Sequence, residues 1–237
     1  MLLLLTFAFV AEAAPIDDFG LVIEEMRTAA GQIQDATYDF HRTEWVRGSM
    51  TPSETIAVKY RRPGDLYAHW IAGSGVGREI LYREGSNDGR MAVKEKSWLP
   101  IINLDPEGRL ATRNSRHPFP NLALTHPIKA VIEDHERVGA DRERLRPEVE
   151  DLGMVDVSGE AARCFDSTMR KDLDPTFYAS RVKVCFSTKT HLPLSLQNYN
   201  IEDGELRLVE DYRYENVRLN QGLTDKDFDT DNEAYGF

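Results

Sequence analysis

"IAGSGVGREILYREG", residues 71–85, places glycines at 73, 75 and 77 directly after an apolar run. Two folds compete for this stretch. A phosphate-cradling loop would make the chain an α/β nucleotide binder. A turn between two strands would make it an antiparallel β protein. A phosphate loop must feed the N-terminus of a helix, where free amides and the helix dipole meet the anion. The residues after Gly77 are REILYRE, which alternate and are rich in strand formers. The glycines follow G-x-G-x-G, which is not the dinucleotide spacing, and no Lys-Ser or Lys-Thr follows for a Walker loop. The run therefore reads as a hairpin connection between LYAHWI and REILYRE.

The neighbouring segments extend that reading. TYDFHRTEWV, ETIAVKYRRP, DLYAHWIA, REILYREG and RMAVKEK follow one another with Gly, Pro, Asn or Asp between them. Ile56, Val58 and Tyr60 alternate with Ala57 and Lys59, the pattern of a half-buried antiparallel strand. Asp88-Gly89 and "LDPEG" (104–108) mark turns. MVDVSG, RCFDSTMRK, SRVKVCFST, LPLSLQNYN and LRLVEDYRYENVRL form a second strand group, with a turn at Asp203-Gly204. Two helices frame the strands. Phe19, Val22, Ile23, Met26, Ala30 and Ile33 recur at three and four, with Asp17 and Asp18 at the start. From about Pro127, Ile128, Val131, Ile132, His135 and Val138 mark a second helical face, closed by Pro147. Roughly ten strands without βαβ alternation predict an α+β fold with one extended antiparallel sheet. No linker or internal repeat divides the chain, so residues 14–237 read as one domain.

The N-terminus carries an address. Leu2–Val10 is apolar, too short to span a bilayer as a helix, and Ala11-Glu12-Ala13 is a small-x-small cleavage site. Residues 1–13 therefore read as a secretory signal, without the usual preceding Lys or Arg. Cleavage would remove one acid and no base, taking the formal charge from −11 to −10. An acidic chain without a basic face excludes nucleic acid as a partner. No later apolar run is long enough for a transmembrane anchor. The expected product is exported, soluble and periplasmic.

Cys164 and Cys185 are the only cysteines, and an oxidising compartment favours their pairing across a long hairpin. The six histidines make no i, i+4 pair around an acid, so a zinc-protease site is absent and no metal is expected. Residues 224–233, TDKDFDTDNE, lack the glycine and the terminal glutamate of a calcium loop and read as a solvated acidic tail. No nucleophile elbow occurs, and acids are too numerous to nominate a catalytic pair. No cofactor, and no enzymatic activity, is indicated. Several strands are instead apolar on both faces: in LYAHWI, Leu66 and Trp70 alternate with Tyr67 and Ile71. A sandwich core or a cavity for an apolar ligand would each explain that.

YRRPGDLY, GREILYREG, LPLSLQNYN and the terminal LTDKDFDTDNEAYGF, in the order signal, helix, strands, helix, strands, resemble an uncharacterised exported bacterial family related to the LolA-like lipoprotein carriers. The resemblance covers most of the chain after residue 13. It implies an unclosed antiparallel half-barrel with helices over its concave side. It implies a periplasmic, non-enzymatic carrier of lipid, acyl chains or lipoprotein. From the apolar pattern, the candidates to line such a cavity are Tyr38, Phe40, Ile56, Val58, Tyr60, Leu66, Trp70, Ile80 and Tyr82 of the strands and Ile128 and Ile132 of the second helix. The alternative is a cell-envelope interaction module with a packed core and an envelope protein as its partner.

Overall fold

The computed structural model describes residues 14–237. The signal reading of residues 1–13 lies outside them. Three helices, α1 (Pro15–Gly31), α2 (Thr125–Ala140) and α3 (Arg142–Leu145), accompany twelve strands. The first group is β1 (Asp35–Val46), β2 (Ser49–Met50), β3 (Glu54–Arg61), β4 (Asp65–Ala72), β5 (Glu79–Tyr82), β6 (Met91–Lys94) and β7 (Ile102–Leu104). The second is β8 (Glu148–Val157), β9 (Glu160–Thr168), β10 (Arg181–Ser187), β11 (Pro193–Glu202) and β12 (Glu205–Leu219).

The glycine run is a hairpin. β4 and β5 pair antiparallel, Trp70 N donates to Arg78 O at 2.9 Å, and Gly77 N donates to Trp70 O at 3.0 Å. Gly73 has φ +92°, a left-handed conformation that glycine adopts without cost. A Cβ on Gly75 would stand 2.5 Å from Trp70 Cδ1, so the turn passes directly against the indole.

The sheet order is β7-β6-β5-β4-β3-β1-β12-β11-β10-β9-β8, with β2 paired to β1. Every recorded pairing is antiparallel, and β7 and β8 stand at opposite ends, so the sheet is an unclosed half-barrel. The strand readings hold, with β2 and β7 added. Both are too short, at two and three residues, to show a period in the sequence.

One sheet face packs under the helices. Ile56, Val58 and Tyr60 of β3, Leu66, Ala68 and Trp70 of β4, and Phe165, Val184 and Phe186 of β9 and β10 share one core with Phe19, Ile23, Met26 and Ala30 of α1. The α1 residues recur at intervals of four, three and four, which keeps them on one helical stripe. The Phe19 ring lies 5.1 Å from that of Phe165. Asp18 in the first turn of α1 pairs with Arg163 of β9 at 2.6 Å, which ties the helix to the sheet. Tyr38 of β1 fixes the approach to α2: its hydroxyl donates to Leu122 O at 3.1 Å and accepts from Leu124 N at 2.9 Å.

The other face explains the strands that are apolar on both sides. Tyr67 and Leu81 point away from the main core and bury against Phe228, with Leu223, Tyr235 and Phe237 around them. Tyr235 stacks on Tyr67 with ring centroids 3.8 Å apart. The C-terminal segment is therefore a strap across the outer face of β3–β5, which corrects the expectation of a solvated tail. Its acids alternate with aromatic anchors: Asp227 meets Lys59 and Asp225 meets Arg61, each at 2.7 Å. The charge pattern concealed the apolar payload.

Cys164 and Cys185 sit directly opposite one another on β9 and β10 and form a disulfide. The bond packs with Ala162 and Leu194 in a small cluster apart from the main core. It closes a loop of sequence separation 21. Chain-entropy reasoning for a loop of that size predicts a loss of about 3 kcal/mol in the Cys164→Ala/Cys185→Ala variant. Urea denaturation checks this, and a loss under ~1 kcal/mol would show that the unfolded chain is already restricted there.

Candidate functional site

Two cavities lie under the helices, on either side of the start of α2. The first, of about 320 Å³, has Trp70, Ile80, Met91 and Val93 of β4–β6 on one wall and the 110–122 segment on the other. The second, of about 440 Å³, lies between α1, α2 and strands β9–β11. Phe19 and Ile23 of α1, Val131 and Val138 of α2, and Val182 and Leu196 of the sheet form its apolar walls. Pro127 borders both cavities.

A buried polar cluster stands between them. Glu210 of β12 is only 2% exposed. It accepts from Asn198 Nδ2 at 2.7 Å and from the Tyr178 hydroxyl at 3.0 Å, and its Oε1 lies 2.7 Å from His117 Nε2. Arg116 Nε is 3.4 Å away. Burial pushes the Glu210 carboxyl up, but His117, Asn198 and Tyr178 outweigh it and hold the group below the usual value. Glu44 of β1 is equally buried and accepts from the Tyr212 hydroxyl at 2.6 Å and from Arg116 N at 3.0 Å. His117 and His126 have ring centroids 5.3 Å apart. Burial, reinforced by His117, lowers His126 to about 4, so it is neutral at neutral pH.

Asp134 of α2 borders the apolar cavity and accepts from Tyr178 N at 3.1 Å and Arg137 Nη1 at 2.8 Å. Burial drives its carboxyl up to about 6, against the pull of those donors. The outer side of the α1–α2 pair is held by exposed ion pairs such as Arg27 with Glu136 at 2.7 Å, while Arg142 of α3 pairs with Asp17 of α1. Exposed pairs of this kind contribute about 0–1 kcal/mol each, so they align the two helices more than they lock them.

The residues nominated from sequence divide between wall and core. Phe40, Trp70 and Ile80 border the first cavity. Tyr38, Ile56, Val58, Tyr60, Leu66 and Ile128 are buried in the packed core, and Tyr82 and Ile132 pack against it. None of these eight borders either cavity. The walls of the larger cavity were not nominated. Their signal is the presence of small residues, Ala130 and Gly139, on a helix face that otherwise carries core side chains: a position that cannot reach the sheet leaves space. Among the described residues, no helix is long and apolar enough to cross a membrane.

An unclosed antiparallel half-barrel with two helices across one face and apolar space beneath them defines the chain as a protein of LolA-like fold. The Mycobacterium tuberculosis lipoprotein LppX is similar over 88% of this chain and 98% of its own, with 12% identity and a TM-score of 0.50. A LolA superfamily protein from Nitrosomonas europaea is similar over 92% of this chain and 99% of its own, with 13% identity and a TM-score of 0.37. In the Pseudomonas aeruginosa MucA/MucB complex the likeness covers 90% of this chain and 60% of that one, with 13% identity and a TM-score of 0.40. At 12% identity the likeness to LppX is one of fold. The chain belongs to the family described as "Protein of unknown function (DUF1571)", whose profile matches residues 33–237. No curated protein matches it.

Proposed function

We propose that residues 14–237 act as one periplasmic, non-enzymatic carrier domain that takes an acyl chain of a lipid or lipid-modified protein into the cavity between α1, α2 and β9–β11. The observation that carries this reading is the cavity itself. Its volume, about 440 Å³, falls in the range of small-molecule sites, and its walls are mostly aliphatic or aromatic. Each methylene that leaves water for such a space contributes about 0.8 kcal/mol, so a chain needs no polar anchor to bind. The α1–α2 pair is the side that opens, because weak exposed ion pairs hold its outer edge.

Ala130→Trp would fill the cavity from α2, and Val131→Asp would place a charge on its wall. Both positions are partly exposed, so both variants are expected to fold. The protein, purified from the periplasm without detergent, should show a lipid mass in native mass spectrometry that is lost on denaturation. Each variant should retain less than about a tenth of that lipid, a loss of ~1.4 kcal/mol or more in binding. Unchanged lipid loading in both folded variants would overturn the reading.

A further inference from the structure

The first cavity differs in kind from the apolar one. Its floor, Trp70, Ile80, Met91 and Val93, is apolar, but the facing wall carries Arg113, Asn114, Ser115 and His126. The other charges around it pair off. Arg42 meets Glu54 at 3.2 Å, Arg78 meets Glu95 at 3.0 Å, and His117 meets Glu210 at 2.7 Å. Arg113 is exposed and makes no ion pair among the described residues, so the wall keeps one uncompensated positive charge. His126 Nε2 has essentially no exposed surface, so His126 forms part of the wall and is not a donor to a ligand. His126 also sits in the first turn of the sixteen-residue helix α2, whose positive dipole end favours an anion. At the rim, Ile102 and Leu110 are 43% and 73% exposed and carry the apolar floor outward to the surface.

We infer that this cavity is a second binding site, for a short-tailed amphiphile whose oxyanion head, carboxylate or phosphate, is held by Arg113 while its tail lies on β4–β6. The site is independent of the apolar cavity. Pro127 is the one residue that borders both, and the Glu210 cluster stands between them. Arg113 supplies both the charge and the N–H donors that meet the head.

The test uses Trp70 as reporter. The chain has three tryptophans, and Trp45→Phe/Trp98→Phe leaves Trp70 alone on the cavity floor. Decanoate, decyl phosphate, decanol and inorganic phosphate are titrated separately. The two anionic amphiphiles should shift Trp70 emission saturably and bind at least about tenfold more tightly than decanol. The tighter of the two identifies the head. Arg113→Glu and Arg113→Gln should each cut that preference to about threefold or less while leaving decanol affinity unchanged. Equal affinity for decanol and decanoate, a preference that survives both substitutions, or inorganic phosphate binding as tightly as decyl phosphate would each overturn the inference. Ala130→Trp, which fills the apolar cavity, should leave these titrations unchanged, so failure of one site is distinguishable from failure of the other.

Discussion

Glu210→Ala is expected to lower the free energy of unfolding by about 3–5 kcal/mol, the usual cost of removing one partner from a buried charged cluster. The loss is not that of a single hydrogen bond. Glu210 meets Asn198, Tyr178 and His117 together, and its removal leaves the Asn198 amide without this acceptor and leaves Tyr178 and His117 with only each other, 2.9 Å apart. Glu210→Gln keeps the size and one acceptor oxygen, so its loss should be smaller. The same pair tests a pH dependence. The folded-state carboxyl is held below its ordinary 4.5, so its stabilisation is complete above that value and disappears as the pH falls through the lower, folded-state value. Wild-type protein should therefore lose stability on acidification below about 4.5 more steeply than Glu210→Gln does. Urea midpoints across that range check both statements. A Glu210→Ala midpoint indistinguishable from wild type would mean that the cluster relaxes into water.

Phe228→Ala should cost a similar amount, about 3–5 kcal/mol. Phe228 is fully buried, and Arg61 stands 4.9 Å over its ring. Its neighbours Tyr67 and Leu81 belong to the sheet, so the truncation uncovers sheet surface as well as leaving a cavity. The expected signature is a lower urea midpoint with faster amide exchange in β4 and β5 than in β9–β11. Uniform exchange in both halves, with an unchanged midpoint, would show that the strap is dispensable. Asp225→Asn, by contrast, removes a charge that is 77% exposed and should change stability little, although it meets Arg61 at 2.7 Å.

The contrast between those two positions shows what the sequence could and could not reveal. Strands announce themselves by alternation, and Ile56, Val58 and Tyr60 do so unmistakably. The turn at Gly73–Gly77 could be read because the alternating stretch REILYRE, not a helical period, follows it. The strap could not, because Phe228 and Tyr235 stand alone among acids, and a period needs several apolar members to be seen. The site was harder still. A residue with an apolar face is identical in sequence whether it borders a cavity or fills a core. Tyr60 and Trp70 lie on neighbouring strands of one sheet face and both belong to its core, yet only Trp70 also borders a cavity, because the chain above them differs. The Glu210 cluster left no trace for a related reason: Glu, His, Tyr and Asn drawn from four separate segments resemble ordinary surface residues until the fold brings them together.

The sheet order also governs how the molecule is assembled. β1 lies mid-sheet between β3 and β12, so the first long strand waits for the last one to be made. Residues 36 and 219 end up as neighbours, and that pairing closes nearly the whole described chain into one loop. The entropy of such a closure grows slowly with length, but long-range pairing of this kind slows folding. Until β12 arrives, β1 presents a row of open amides and carbonyls, the kind of edge on which strands of other chains add. A chain interrupted before residue 205 would therefore carry an aggregation-prone edge in what should become the centre of its sheet. The β1–β12 seam, which joins the two halves of the sheet, is therefore the pairing that must wait for almost the whole chain.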